Sequence, residues 1–240
     1  METETRSPKT EESHPHKAED GQKKQHEQDK TEKRATEKQK EKNIVLLFNR
    51  WDISGVKVND PGLRAHINLE PVIVPRSYGR AGTEAFRKNS MNVVERLINK
   101  LMIPGHKGKK HKVSSGRCVG RTQALEKVVI EAFTVIEKRK KTNPVQVLVN
   151  AIENGAMIEE VTAYRVGGTI VRKHVVTSPH RRLDVALRHI AQGIYNNTFN
   201  SRKNLADAMA DEIIAVADND QKTMAVRERI RLEKEAEGAR

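Results

Sequence analysis

The chain has one cysteine, Cys118, in 240 residues. A single thiol excludes an internal disulfide and fits a reducing compartment such as the cytosol. Aromatic residues are only 3% of the chain, which argues against a single-strand nucleic-acid reader that stacks successive bases on Phe, Tyr or Trp. No run approaches the roughly 18 apolar residues that a membrane-spanning helix needs, so a span is excluded on length. Residues 1–42 hold only three apolar side chains, those of Met1, Ala18 and Ala35, and their 11 basic residues balance 11 acidic ones. Such a segment has almost nothing to bury, so we expect a disordered charged extension at 1–43 ahead of a folded domain at 44–240. It lacks the apolar stretch of a secretory signal.

Acid is missing from a second place. Pro104–Thr122 reads PGHKGKKHKVSSGRCVGRT, with four glycines, six lysines or arginines, two histidines and no carboxylate. The chain as a whole has a formal charge of +13, all of it carried after residue 42. Arg76–Lys127 alone has 13 basic residues against Glu84, Glu95 and Glu126. A predicted isoelectric point near 9.8 and one dense cationic zone point to a polyanionic partner.

What is present is mostly helical period. Asn92 followed by Glu95 suggests a capping box, after which Val94, Leu97, Ile98 and Leu101 repeat at helical spacing until Pro104 and Gly105. From Gln123 to about Lys141, Leu125, Val128, Val129, Ala132, Phe133 and Ile136 make one apolar stripe, with Lys138, Arg139, Lys140 and Lys141 at its C-terminal end, where the helix dipole favours cations. Asn143, Pro144 and Gln146 predict an N-cap, a first-turn proline and an N3 partner for a helix ending near Gly155. The period then changes to two. The stretches 158–166 and 169–177 are rich in Val, Ile, Thr and Tyr and flank Gly167-Gly168, the signature of a hairpin whose arms carry Arg165, Arg172, Lys173 and His174. An isolated ribbon is marginal in water, so this one is expected to lean on helices or on a partner. Ser178-Pro179 opens another helix with the stripe Leu183, Ala186, Leu187, Ile190, Ala191 and Ile194. A further stripe holds Leu205, Ala208, Met209, Ile213 and Val216, with Glu212 as its odd member, and Lys222–Arg240 has helical propensity. The fold class is mainly α: a bundle of about six helices with one protruding β-hairpin at about 158–177.

Catalytic readings of the glycine-rich loop fail on spacing. Gly116 and Gly120 have three residues between them and Arg121 after them, whereas a phosphate-binding P-loop needs four between its glycines and then a lysine. His106, His111 and Cys118 do not supply a zinc set, and the surrounding lysines would repel a cation. Cys118 has no ordered base and orienting acid beside it. A nucleic-acid-dependent enzyme or a free regulator would need a convergent acid, base or metal cluster, which the sequence does not contain. No short helix carries a face of base-reading Asn, Gln and Arg, which disfavours a sequence-specific DNA reader. Backbone and shape recognition of structured RNA remains, with glycines letting the chain approach closely and cations releasing counterions.

The runs LFNRWDISGVKVNDPGLRAHINLEPVIVP (Leu47–Pro75), NVVERLINKLMIPGHKGKKHKVSSGR (Asn92–Arg117), ENGAMIEEVT (Glu153–Thr162), SPHRRLDVALRHI (Ser178–Ile190) and FNSRKNLADAMADEI (Phe199–Ile213) resemble the universal small-subunit ribosomal protein seven family, in its archaeal and eukaryotic branch and most like archaeal members. The resemblance implies a helical bundle with a protruding hairpin and a cytoplasmic, ribosome-bound protein. It implies binding to the 3′ major domain of small-subunit rRNA, nucleation of head assembly, and a position near the mRNA exit channel and the tRNA exit site. Partners would be that rRNA and neighbouring small-subunit proteins, with exit-site tRNA and mRNA nearby. No catalytic residue, metal or cofactor is implied. The RNA-binding positions it implies are Arg76, Arg80, Lys107, Lys109, Lys110, Lys112, Arg117, Arg121, Lys138, Arg139, Lys140, Lys141, Arg181, Arg182, Ser201, Arg202 and Lys203, together with Arg165, Arg172 and Lys173 on the hairpin. Cys118 and His189 depart from the family pattern.

Overall fold

The computed structural model describes residues 45–80, 87–104 and 120–240 in full, and between the last two segments only the backbone of 106–107 and 110–111. The extension expected at 1–43 lies outside the described residues. Among the described residues the chain forms seven α-helices: α1 (Pro61–Arg64), α2 (Val93–Leu101), α3 (Thr122–Lys140), α4 (Pro144–Gly155), α5 (Pro179–Thr198), α6 (Leu205–Ala217) and α7 (Met224–Glu237). A 3-10 turn covers Arg87–Ser90. Two antiparallel pairs accompany them, a minimal one of β1 (His106–Lys107) with β2 (Lys110–His111), and a hairpin of β3 (Glu159–Val166) with β4 (Thr169–Val176).

The expected stripes are the core. Leu125, Val129, Ala132, Phe133 and Ile136 of α3 are buried, as are Leu183, Ala186, Leu187, Ile190, Ala191 and Ile194 of α5. Helix α6 packs on α3, α4 and α5 and buries Ala208, Met209, Ile213 and Val216 among them. At Gly193 of α5 an added Cβ would collide with Oε1 of Glu212 on α6, so any larger residue there must displace that carboxylate.

Two cap expectations are half met. Asn92 accepts from Val94 N at 3.0 Å and Asn143 accepts from Val145 N at 3.0 Å, so both N-caps form. Their N3 partners serve elsewhere. Glu95 accepts from Ser77 N and Oγ at 2.7 and 2.6 Å, and Gln146 exchanges hydrogen bonds with Lys57 N and O at 2.8 and 2.9 Å. Each long side chain ties an irregular segment to the helix body. The segment 45–60 is held on α4 by these and by Glu153, which accepts from Asn59 N at 2.6 Å and Asp60 N at 3.0 Å. It is held on α3 by Trp51, whose ring meets Phe133 edge-on at 5.5 Å and whose Nε1 donates to Glu137 at 2.9 Å.

The hairpin turns on Gly167 and Gly168, with φ of 55° and 89°. Two successive left-handed residues make the turn that matches strand twist, and glycine takes that conformation without a Cβ clash. At its base the ribbon leans on α7, through Ile158 N to Glu233 at 3.2 Å and Arg240 to Glu159 at 2.7 and 2.8 Å. Its outer half is solvent-exposed on both arms.

Candidate nucleic-acid interface

Most of the glycine-rich loop lies outside the described residues. Lys109, Lys112 and Arg117 are among them, and for Lys107 and Lys110 only their mutual strand pairing is described. The loop leads into Gly120 and Arg121, both exposed, with Arg121 at the N-cap position of α3. Arg80 is exposed in the segment before α2. Arg76 lies across from α3 and clasps Glu126 with two bonds, Nε to Oε1 at 2.6 Å being one. That carboxylate raises the Arg76 guanidinium above its ordinary range.

A second group forms where the end of α3 meets α6. Asp211 of α6 accepts from Arg139 and, at 2.9 Å, from Lys203, so cations 64 residues apart in sequence share one counter-charge. Burial works against ionised Asp211, yet the hydrogen bonds and charges of Arg139 and Lys203 keep it below the usual carboxylate range. Lys140 pairs with Asp218 at 2.7 Å. Lys138, Ser201 and Arg202 are exposed beside them in sequence. Lys141 is exposed and closes α3 in the left-handed conformation. The structure therefore brings the 138–141 and 201–203 candidates together.

The hairpin supplies a third group. By register, Ala163 faces Arg172 and Arg165 faces Ile170 on one side of the ribbon, so Arg165 and Arg172 share a face and Lys173 takes the other. All three are exposed, and the outer half of the ribbon carries no acid. At the ribbon's base Arg181 binds Glu160 with two bonds, 2.6 and 2.7 Å. Its neighbour Arg182 is different in kind. Only 12% of its side chain is exposed, and it binds Asp60 at 2.6 Å and the Met157 carbonyl at 3.0 Å, which ties α5 to the cap of α1.

Sequence reading missed a fourth basic group. Arg96, 4% exposed, reaches Asp184 at 3.0 Å, and Lys88 and Lys100 approach the same carboxylate at 3.8 and 3.7 Å. Arg188 stands close enough to lower the Lys100 ammonium, although burial is the larger cause. The signal was the four-residue spacing of Arg96 with Lys100 and of Asp184 with Arg188. Those pairs sit on helices whose other faces fill the core, and periodicity counted only the apolar members.

Among the described residues no group of carboxylates, histidines and thiols could hold a metal ion, and no helix is long and apolar enough to cross a membrane. Exposed cations on a helical body with a basic β-ribbon define a polyanion-binding protein. Residues 63–240 match the family model of ribosomal protein S7p/S5e, and the chain belongs to that family. The family is structural and not enzymatic. The chain is 43% identical to small ribosomal subunit protein uS7 of Nanoarchaeum equitans over 82% of its own length and 99% of that protein. It is 42% identical to the uS7 of Archaeoglobus fulgidus over 83% and 97% of the two chains, and 43% identical to that of Methanococcus aeolicus over 82% and 99%.

Proposed function

We propose that this protein is a structural component of the small ribosomal subunit, acting in the cytoplasm, that binds the 3′ major domain of small-subunit rRNA and nucleates assembly of the subunit head. In that position its hairpin lies near the mRNA exit channel and the tRNA exit site. The body at 44–240 does this work, with the charged extension at 1–43 outside it. Family membership over 63–240 carries the reading, and the groups of exposed cations support RNA contact at those surfaces.

The contacts divide by what each cation is doing before RNA arrives. Arg121, Lys138, Lys141, Arg165, Arg172, Lys173 and Arg202 are exposed, and they meet phosphates together with Arg80 and the loop cations Lys107, Lys109, Lys110, Lys112 and Arg117. Arg76 is clasped by the buried Glu126, whereas Arg139, Lys140, Arg181 and Lys203 are held by carboxylates at the surface. Exposed pairs of this kind are worth about 0–1 kcal/mol, so a phosphate can take the cation over at small cost, with Ser201 adding a hydroxyl. Arg182 contributes by holding the base of the hairpin to α1.

Gradient sedimentation of a lysate tests the assignment. The expected result is a stoichiometric signal in the small subunit; a wholly free pool would refute it. Filter binding of the purified chain to a 3′-domain RNA fragment is expected to weaken steeply with salt. Equal affinity for fragments of the other rRNA domains would overturn the finer claim.

A further inference from the structure

Tyr78 is the most exposed large apolar side chain of the described residues, at 80%, and its φ is 52°. A tyrosine in the left-handed region carries a steric cost and persists only where its surroundings hold it. Here they do. Arg76 on one side is pinned to α3 through Glu126 at 2.6 Å, and Ser77 is pinned to α2 through buried Glu95 at 2.6 and 2.7 Å. Arg80 N closes the turn on Ser77 O at 3.1 Å. The ring is thus fixed outward by a turn anchored to two helices.

Beside the ring lies a cavity of about 390 Å³, within the roughly 300–1,000 Å³ range of small-molecule sites. Pro75 and buried Met91 give it apolar surface, Asn99 offers a donor and an acceptor, Arg76, Lys88 and Thr122 also line it, and the one carboxylate in the lining, Glu95, is already engaged by Ser77 N and Oγ. Thr122 opens α3, whose N-cap residue Arg121 makes no side-chain cap bond, and the helix N-terminus adds positive potential at this cavity.

We propose that this cavity receives one unstacked base of the bound RNA, with the Tyr78 ring stacked on its face. A base matches each part of the site: flat apolar faces for Tyr78, Pro75 and Met91, a hydrogen-bonding edge for Asn99, and a phosphate for Lys88 and the α3 terminus. An apolar protein side chain would use the walls and gain nothing from the cations. The proposal rests on the RNA-binding reading above and gives it a base-contacting point that the low aromatic content of the chain conceals.

The test uses full-length protein and a 3′-domain rRNA fragment. Tyr78→Ala keeps the same demand on φ and removes an exposed ring and its hydroxyl's hydrogen bond to Arg76, while Glu126 still holds Arg76, so its melting point is expected to match the parent. Its affinity is expected to fall about 5- to 150-fold, the range one base–aromatic stack commands, with the slope of log K against log salt unchanged because stacking releases no counterion. Tyr78→Trp is expected to restore affinity, and its new fluorescence to be quenched by the RNA, whereas the parent's Trp51, buried at 5% exposure, is not. Unchanged affinity of Tyr78→Ala beside a parent that binds well overturns this proposal and leaves the RNA-binding reading standing. A changed salt slope overturns it too, since the ring would then act only by placing Arg76. Quenching of Tyr78→Trp by millimolar nucleoside monophosphates as strongly as by the RNA would make this a free-nucleotide site instead. A parent chain that binds no RNA defeats both readings together.

Discussion

Glu212 is the polar interruption in an otherwise apolar stripe, and its surroundings work against its charge. It is 4% exposed, and although Asn197 Nδ2 donates to its Oε2 at 2.7 Å, burial pushes its carboxyl above the ordinary 4.5. A raised folded-state value means that the folded chain holds a proton the unfolded chain has lost. The associated stability is present below the ordinary value and is lost as pH rises through the raised one. Glu212→Gln is therefore expected to melt higher than the parent at pH 7, with the advantage shrinking as pH falls towards 4.5. Thermal melts across pH 4–8 check this, and a constant difference would refute it. Asp184 runs the other way. Burial opposes its charge, but the Arg96 hydrogen bond and the charges of Lys100 and Lys88 hold it below the ordinary 3.8. Its contribution is present above that value and is lost as pH falls through the lowered one. Asp184→Asn strands buried Arg96 without a counter-charge and is expected to cost about 3 kcal/mol at pH 7 by chemical denaturation. A loss below about 0.5 kcal/mol, the scale of an exposed pair, would contradict it.

Among the elements, those with one apolar face were legible in the sequence. The bounds of α3, α4 and the hairpin, and the start of α5, fall within a residue or two of where periodicity, caps and the Gly-Gly turn put them. Helix α1 was not legible, because a four-residue helix has no period to count. It exists through Asp60, which accepts from Gly62 N at 2.8 Å, with Leu63 buried beneath. The destinations of Glu95 and Gln146 were equally hidden, since a capping box is a local rule and both side chains bind partners 18 and 89 residues away. At the interface, cation-rich segments could be read directly. Which cations stand paired could not, because Asp211 joins Arg139 to Lys203 only after α3 and α6 pack. The hairpin gives this scale its prediction. Replacing Arg165–Lys173 by a short turn removes only exposed residues, so the body is expected to melt as before and still enter small subunits. Those subunits should hold exit-site tRNA less well, measured by tRNA occupancy. Failed incorporation would make the ribbon an assembly element, and normal occupancy would deny it the exit-site role.

For the whole molecule, charge is the organising quantity. The excess of +13 falls on a body in which Asp60, Glu126, Glu160, Asp184, Asp211 and Asp218 each answer particular cations, while the sequence between α2 and α3 carries no carboxylate. Neutralising the six cations from Lys107 to Arg121 is expected to flatten the slope of log K against log salt by about four to five units, at roughly 0.7–0.9 per phosphate contact. Filter binding to a 3′-domain fragment measures it. A slope that does not move would mean that the loop contacts no phosphate.

The segment 45–60 has a dynamic consequence of its own. The amides of Lys57, Asn59 and Asp60 donate to side chains of α4, at 2.8, 2.6 and 3.0 Å, rather than to a helix or a ladder. Nothing regular breaks when they open, so the segment forms a cooperative unit that can detach from the intact bundle at less than the full unfolding free energy. Native-state hydrogen exchange is expected to give these three amides one common opening free energy, below that of the interior of α6, and Glu153→Gln should lower it for all three at once. Because the partners are 89 to 94 residues apart in sequence, closing this contact carries a large loop entropy. It is accordingly late to form in folding and early to let go.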